Sequence, residues 1–163
     1  MADSTDYDAD RLTISPLDEI DALELRDFLV TAQEDFWGER DLTSSHDPYW
    51  FRQLDSSGLV ARYQNQIVGY LLGVVPQEGP GYIHLAAAHN DFRHLGIGRA
   101  LYAAFVDRAR QLGKQEVQAT TEPENTGAIA FHTDLGFESE LISDYAGPER
   151  PRVLFTRSLT VES

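Results

Sequence analysis

Arg93-His94-Leu95-Gly96-Ile97-Gly98-Arg99 separates a β-rich run at 82–89 from a run of helical period, and this junction constrains the fold more than any other segment. Downstream of it, Ile97, Leu101, Ala104, Phe105, Ala109 and Leu112 fall on one helical face, with Gly113 as the stop. A strand that turns through two glycines into a helix makes a site for oxyanions. Glycine lets the backbone approach a ligand closely, and the first-turn N–H groups and the helix dipole favour negative charge. Arg93 and Arg99 add full positive charges.

Several phosphate-binding patterns use such a turn. A dinucleotide fingerprint needs a third glycine three residues after the second, and Leu101 stands there, although Glu116 does fall 20 residues after Gly96. A P-loop needs Gly-Lys-Ser/Thr, which this chain lacks. What remains is Arg-x-x-Gly-x-Gly.

The other segments read as a mixed α/β chain. A length of 163 residues corresponds to about one domain, and 42% apolar with 25% charged residues is a globular composition. Residues 1–10 are acidic and aperiodic, which predicts a disordered tail ahead of a single domain over 11–160. A strand is expected at 11–15. A helix follows from Asp18 on Ala22, Leu25, Leu29, Ala32 and Phe36, ending at Gly38, and a shorter one runs from Asp47-Pro48 to Leu54. Runs 58–63 and 66–75 form a hairpin across Gln64-Asn65. After a strand at 115–120, Ala128, Phe131 and Leu135 mark a short helix closed by Gly136, and strands at 137–145 and 152–159 flank Gly147-Pro148. The fold class is α+β, with about seven strands and four helices and a largely antiparallel front half.

With this order of elements, the Arg-x-x-Gly-x-Gly turn resembles that of the GNAT superfamily of N-acetyltransferases, whose Arg/Gln-x-x-Gly-x-Gly/Ala signature holds the pyrophosphate of acetyl-CoA. Three more stretches carry the resemblance: the strand Ile83-His84-Leu85-Ala86-Ala87-Ala88, the run His89-Asn90-Asp91-Phe92-Arg93, and Glu124-Asn125-x-x-Ala128-Ile129-x-Phe131-His132-x-x-x-Gly136-Phe137. It spans about residues 11–160 and implies a mostly antiparallel twisted sheet with a splayed strand pair forming an acetyl-CoA slot. By resemblance, acetyl-CoA is the cosubstrate, its pyrophosphate held at Arg93, His94, Leu95, Gly96, Ile97, Gly98 and Arg99. The main chain of Ala86 and Ala88 would hydrogen-bond the pantetheine arm. Family members often have proline where Asn90 stands, beside a bulge that splays the strand. Asn125 has two readings, an N-cap for the short helix and a contact to the pantetheine or to an ordered water.

Acetyl transfer to an amine needs a neutral nucleophile, a polarised thioester carbonyl and a proton for the departing thiolate. In the family resembled, a tyrosine seven residues after the asparagine commonly supplies that proton. Here the position is His132, which reads equally as a general acid and as a residue bordering the core. Tyr145 and Tyr102 are substitutes. No glutamate stands in the strand before the turn, so His84 is the candidate base, with a hydrogen-bonded strand residue as its structural reading. His84 and His89 lie five apart on a strand and face oppositely, which with His94 in a loop predicts no metal site.

The absence of cysteine excludes disulfide scaffolds, thiol nucleophiles and iron–sulfur centres, and leaves direct transfer through a ternary complex as the expected mechanism. A net charge of −14 disfavours nucleic acid and anionic membranes as partners. Residues 1–41 hold thirteen acids against three arginines, whereas residues 84–114 hold two acids against five bases, a positive island suited to a small anionic ligand. The acidic surface favours a cationic amine acceptor, which Glu39 and Asp41 could hold, while Trp37, Tyr49, Trp50 and Phe51 read as core. No secretion signal or membrane span is read, so a cytoplasmic enzyme is expected, and edge strands could pair two copies into a homodimer. A non-catalytic acyl-CoA-binding domain is the alternative, on account of His132 and the missing glutamate.

Overall fold

The computed structural model describes residues 6–21, 23–24, 27–28, 35–36 and 57–160. Most of the two helices expected between Asp18 and Leu54 lies outside them, as do Trp37, Glu39, Asp41, Tyr49, Trp50 and Phe51. Among the described residues the strands are β1 (Thr13–Pro16), β2 (Leu59–Tyr63), β3 (Gln66–Val74), β4 (Gly81–Ala88), β5 (Glu116–Thr121), β6 (Glu138–Ile142) and β7 (Arg152–Ser158). Two α-helices are described, α1 (Ile97–Gln111) and α2 (Thr126–Asp134). The sheet order is β1-β2-β3-β4-β5-β7-β6. β1 with β2, β2 with β3, β5 with β7 and β6 with β7 are antiparallel, while β4 and β5 are parallel. This is the α+β class expected from the sequence.

The chain forms two compact units. The first comprises residues up to Val74 together with Leu85–Phe105, and the second Val75–His84 with Val106–Ser163. In the first, Gln64 and Asn65 take φ of 52° and 63°, the paired left-handed conformations of a two-residue hairpin turn between β2 and β3. One core cluster gathers Leu17, Phe28, Phe36, Val60, Tyr70 and Leu72, with the Phe28 ring edge-on to both Phe36 and Tyr70 at 5.4 Å. Phe36 thus meets its expected inward position. Residues 1–5 of the expected tail lie outside the description, but residues 6–10 are docked: Tyr63 Oη accepts from the Asp8 N–H at 3.2 Å, and the Tyr7 and Tyr63 rings lie 4.9 Å apart. An aromatic ring alone among acids was the signal for that contact.

In the second unit β5 pairs with β7 along its whole length, Glu116↔Ser158 through Thr121↔Val153. Its pairing with β4 covers only Gly81↔Val117 to Ile83↔Ala119. Val117, Ala119, Val153 and Phe155 are buried, and the residues alternating with them on β5 and β7 are partly exposed, the period-2 pattern of a half-covered sheet. Both helices end on a left-handed glycine, Gly113 at φ 80° after α1 and Gly136 at φ 85° after α2. The Lys114 N–H reaches Ala109 O and the Phe137 N–H reaches His132 O, closing each C-terminus.

Candidate active site

In the first unit, β4 runs out at Ala88 into a one-turn 3-10 segment, Asn90–Phe92, and then into the glycine turn. His94 and Gly96 both adopt left-handed conformations, φ 66° and 84°. Such conformations turn successive main-chain N–H groups toward one side, and a non-glycine residue held there stores strain. The first intrahelical bond of α1 runs from the Ala100 N–H to Gly96 O at 3.0 Å, so the amides of Ile97, Gly98 and Arg99 have no acceptor within the helix. Arg99, His94 and Gly96 are exposed, and the Ile97 side chain is buried. Ile97 therefore offers a ligand only its backbone.

The site requires a residue that sequence reasoning passed over. A Cβ built on Gly69 of β3 would lie 2.6 Å from Ile97 Cγ2, 3.1 Å from Leu101 Cδ1 and 3.2 Å from the Ala87 carbonyl oxygen. The missing side chain is what seats the helix and its turn. A lone glycine inside the apolar run 67–75 was the available sign.

The Arg93 side chain is itself anchored. Its Nη2 donates to the Phe36 carbonyl oxygen at 3.2 Å, tying the turn to the segment ahead of it. His89 works alongside: Nδ1 accepts the Asp91 N–H at 3.1 Å, capping the 3-10 turn, and Nε2 faces Asp35 Oδ2 at 3.8 Å. The ring is buried edge-on to Phe36 and Phe92.

The second unit holds His84, Asn125, His132 and Tyr145. Asn125 caps α2, its Oδ1 accepting the Ala128 N–H at 3.1 Å, as its sequence position predicts. His132 is enclosed, stacked flat on Phe155 at 4.0 Å and edge-on to Phe131 and Phe137. Its Nδ1 lies 2.7 Å from Ala128 O and donates to it. Burial lowers its pKa below the usual 6.5, against a smaller opposing effect of that hydrogen bond. The neutral ring with Nδ1–H carries a lone pair at Nε2, so it must gain a proton before Nε2 can donate one. His84, half-buried on β4, is likewise lowered by burial. Tyr82, two residues back on the same face, has its hydroxyl 3.1 Å from Thr120 Oγ1. Tyr145 is exposed, and partial burial and the neighbouring Tyr82 raise its pKa, so its phenol is protonated at neutral pH. Tyr102 is buried in the helix.

Because both histidines are harder to protonate folded than unfolded, protons bind the unfolded chain preferentially. Their contribution is complete above about pH 6.5 and is lost as pH falls through that value toward the lower folded pKa. Urea midpoints should decline from pH 7.5 to 5.5. His132→Phe, which keeps a ring against Phe155, should flatten that decline, and an unchanged slope would exclude His132 as its source.

Among the described residues no group of three or more His, Asp or Glu is disposed to hold a metal, and no helix is long and apolar enough to cross a membrane.

A half-covered, mainly antiparallel sheet with one parallel strand pair and a left-handed glycine turn opening a helix defines an α+β protein whose helix starts with main-chain amides that lack intrahelical acceptors. The family description "Acetyltransferase (GNAT) family" matches residues 19–137, and the chain belongs to that family. It is 30% identical over 122 residues to mycothiol acetyltransferase of Sanguibacter keddieii, covering 71% of this chain and 38% of that one. Against the L-amino acid N-acyltransferase MnaT of Escherichia coli it is 26% identical, covering 62% and 63%. In both cases the chain spans less than two thirds of the curated relative. The fold of yncA from Salmonella typhimurium, solved with its cofactor acetyl-CoA, superposes with a TM-score of 0.64 at 20% identity, covering 93% of this chain and 96% of that one.

Proposed function

We propose that this protein transfers the acetyl group of acetyl-CoA directly to a primary amine. The observation that carries this reading is the glycine turn, where left-handed His94 and Gly96 precede first-turn amides that lack intrahelical acceptors. A diphosphate fits such a cradle: its oxygens accept from the main chain of residues 93–99, and Arg99 supplies charge. The pantetheine arm is taken by the main chain of Ala86 and Ala88, beyond the point at which β4 leaves register with β5. Asn125 adds its side chain to that arm in this reading, besides capping α2.

In the reaction the amine lone pair attacks the thioester carbonyl, the C–S bond breaks, and the amine proton passes to His84, which burial keeps neutral and able to accept it. The departing thiolate takes a proton. We assign its source to the Tyr145 phenol in place of His132, because the exposed phenol carries a proton at neutral pH and the buried neutral imidazole is committed to Ala128 and Phe155. His132 then buttresses α2. We further read the enzyme as cytoplasmic, its acidic surface favouring a cationic acceptor, and as able to dimerise through β6, which among the described residues has a strand on one side only.

Incubation with acetyl-CoA and an amine panel, followed by free-thiol release, tests the reading. Turnover is expected with at least one amine. Coenzyme binding without thiol release from any of them would overturn it in favour of a non-catalytic acyl-CoA-binding domain. Tyr145→Phe should lower kcat by about 10²-fold, the scale of general acid catalysis. His132→Phe should leave kcat within a few-fold, and the reverse outcome would return the acid role to His132.

A further inference from the structure

His89 is a buried imidazole that performs no step of the transfer, yet it stands just ahead of left-handed His94 in the same unit. The backbone reaches it from a fixed point. The β2–β3 register skips Val68, with Ala61 opposite Gly69 and Arg62 opposite Ile67, and the Val68 carbonyl accepts the His89 N–H at 2.8 Å. The chain leaves His89 through the 3-10 turn, which is closed by the Phe92 N–H on His89 O at 2.8 Å and by the Asp91 N–H on His89 Nδ1 at 3.1 Å. A ring nitrogen that accepts carries no hydrogen, so the ring hydrogen belongs to Nε2. That nitrogen faces Asp35 Oδ2 at 3.8 Å, too far for a direct hydrogen bond but near enough for the carboxylate to favour the same tautomer. Segment 35–36 holds the turn a second time, through the Phe36 carbonyl and Arg93 Nη2.

We propose that His89 is a positioning residue for the coenzyme: its Nε2–H tautomer, set between Asp35 and the Asp91 N–H, fixes the path of the backbone into the glycine turn and with it the affinity for acetyl-CoA. This rests on the acetyltransferase reading and deepens it. The ring combines two separable properties. Its carbon edges pack against Phe36 and Phe92, centroids 5.4 and 5.8 Å away, and serve the core. Its Nδ1 lone pair holds the main-chain N–H of Asp91, an exposed residue whose amide water can also satisfy, so the cap adds little to stability. What the cap adds is direction. Without it the chain from Asn90 to Arg93 gains alternative paths, and a cradle of main-chain amides binds a diphosphate only where those amides converge.

The experiment measures acetyl-CoA affinity by calorimetry and stability by urea midpoint in His89→Phe, His89→Leu and His89→Asn. Phenylalanine and leucine keep an apolar side chain between Phe36 and Phe92 and lack the acceptor, whereas asparagine keeps an acceptor for the Asp91 N–H and loses the packing. The two observables are expected to separate. Kd for acetyl-CoA rises about fivefold in His89→Phe or His89→Leu at a midpoint near that of the wild type, the factor to which loss of an ordinary cap corresponds. His89→Asn holds Kd within about twofold at a clearly lower midpoint. KM for acetyl-CoA should follow Kd, with kcat at saturating coenzyme changed by no more than about twofold. Nitrogen NMR of the coenzyme-free protein at mildly alkaline pH should find the His89 ring hydrogen on Nε2. Affinity that falls in step with stability across the three variants, affinity unchanged in all of them, or a ring hydrogen on Nδ1 would each overturn the proposal and leave the acetyltransferase reading standing. Absence of both binding heat and thiol release with the wild-type protein would instead remove that reading.

Discussion

Gly69→Val is expected to lower the unfolding free energy by about 3 kcal/mol, the upper part of the usual range for overpacking a core, and to weaken acetyl-CoA binding at least tenfold. The side chain would have to occupy space already held by Ile97 Cγ2 and Leu101 Cδ1, with the Ala87 carbonyl behind it. Ile97 and Leu101 are 1% and 0% exposed, so neither can swing outward. Relief comes only from moving the start of α1, and the amides of the glycine turn move with it. Urea denaturation reads the first effect and calorimetry with acetyl-CoA the second. Alanine supplies the sharper test. Gly69→Ala combined with Ile97→Ala should cost less than the sum of the two single changes, because the second removes the atom the first collides with. Strict additivity would show that this contact does not seat the helix.

Gly96→Val separates geometry from packing. At φ 84° a β-branched residue is strained by about 1–2 kcal/mol or more, yet the position has open space around it, with no atom within 4 Å of an added Cβ. The core should therefore survive with a modest shift in the urea midpoint, while the turn relaxes out of its left-handed conformation and coenzyme affinity falls by tenfold or more. Gly96→Asn should keep most of that affinity, since asparagine tolerates the left-handed region. Affinity lost equally with asparagine and valine would mean that something other than φ matters at this position. Unchanged binding by both would remove the turn from the coenzyme site.

The sequence was most informative where function depends on neighbours in the chain. Gly96 and Gly98, the arginines around them and the helical face from Ile97 to Ala109 are local, and so is the Asn125 cap, three residues before the amide it accepts. Gly69 was not legible in the same way. Its importance arises from Ile97, 28 residues later, and a glycine in an apolar strand carries no mark of what it faces. His132 shows the same limit. Its position relative to Asn125 left an acid and a core neighbour equally open, and what lowers its pKa is burial among Phe131, Phe137 and Phe155, which spacing along the helix does not reveal.

Strand β7 is the seventh in chain order, yet it is flanked on both sides, by β5 and by β6. β5 and β6 therefore both precede in the chain the strand that joins them. A nascent chain arrested ahead of Arg152 leaves both with hydrogen-bonding edges bare, the kind of template on which polypeptides aggregate. A product truncated ahead of Arg152 should accordingly be less soluble than the full chain, which the soluble and pellet fractions after expression would show.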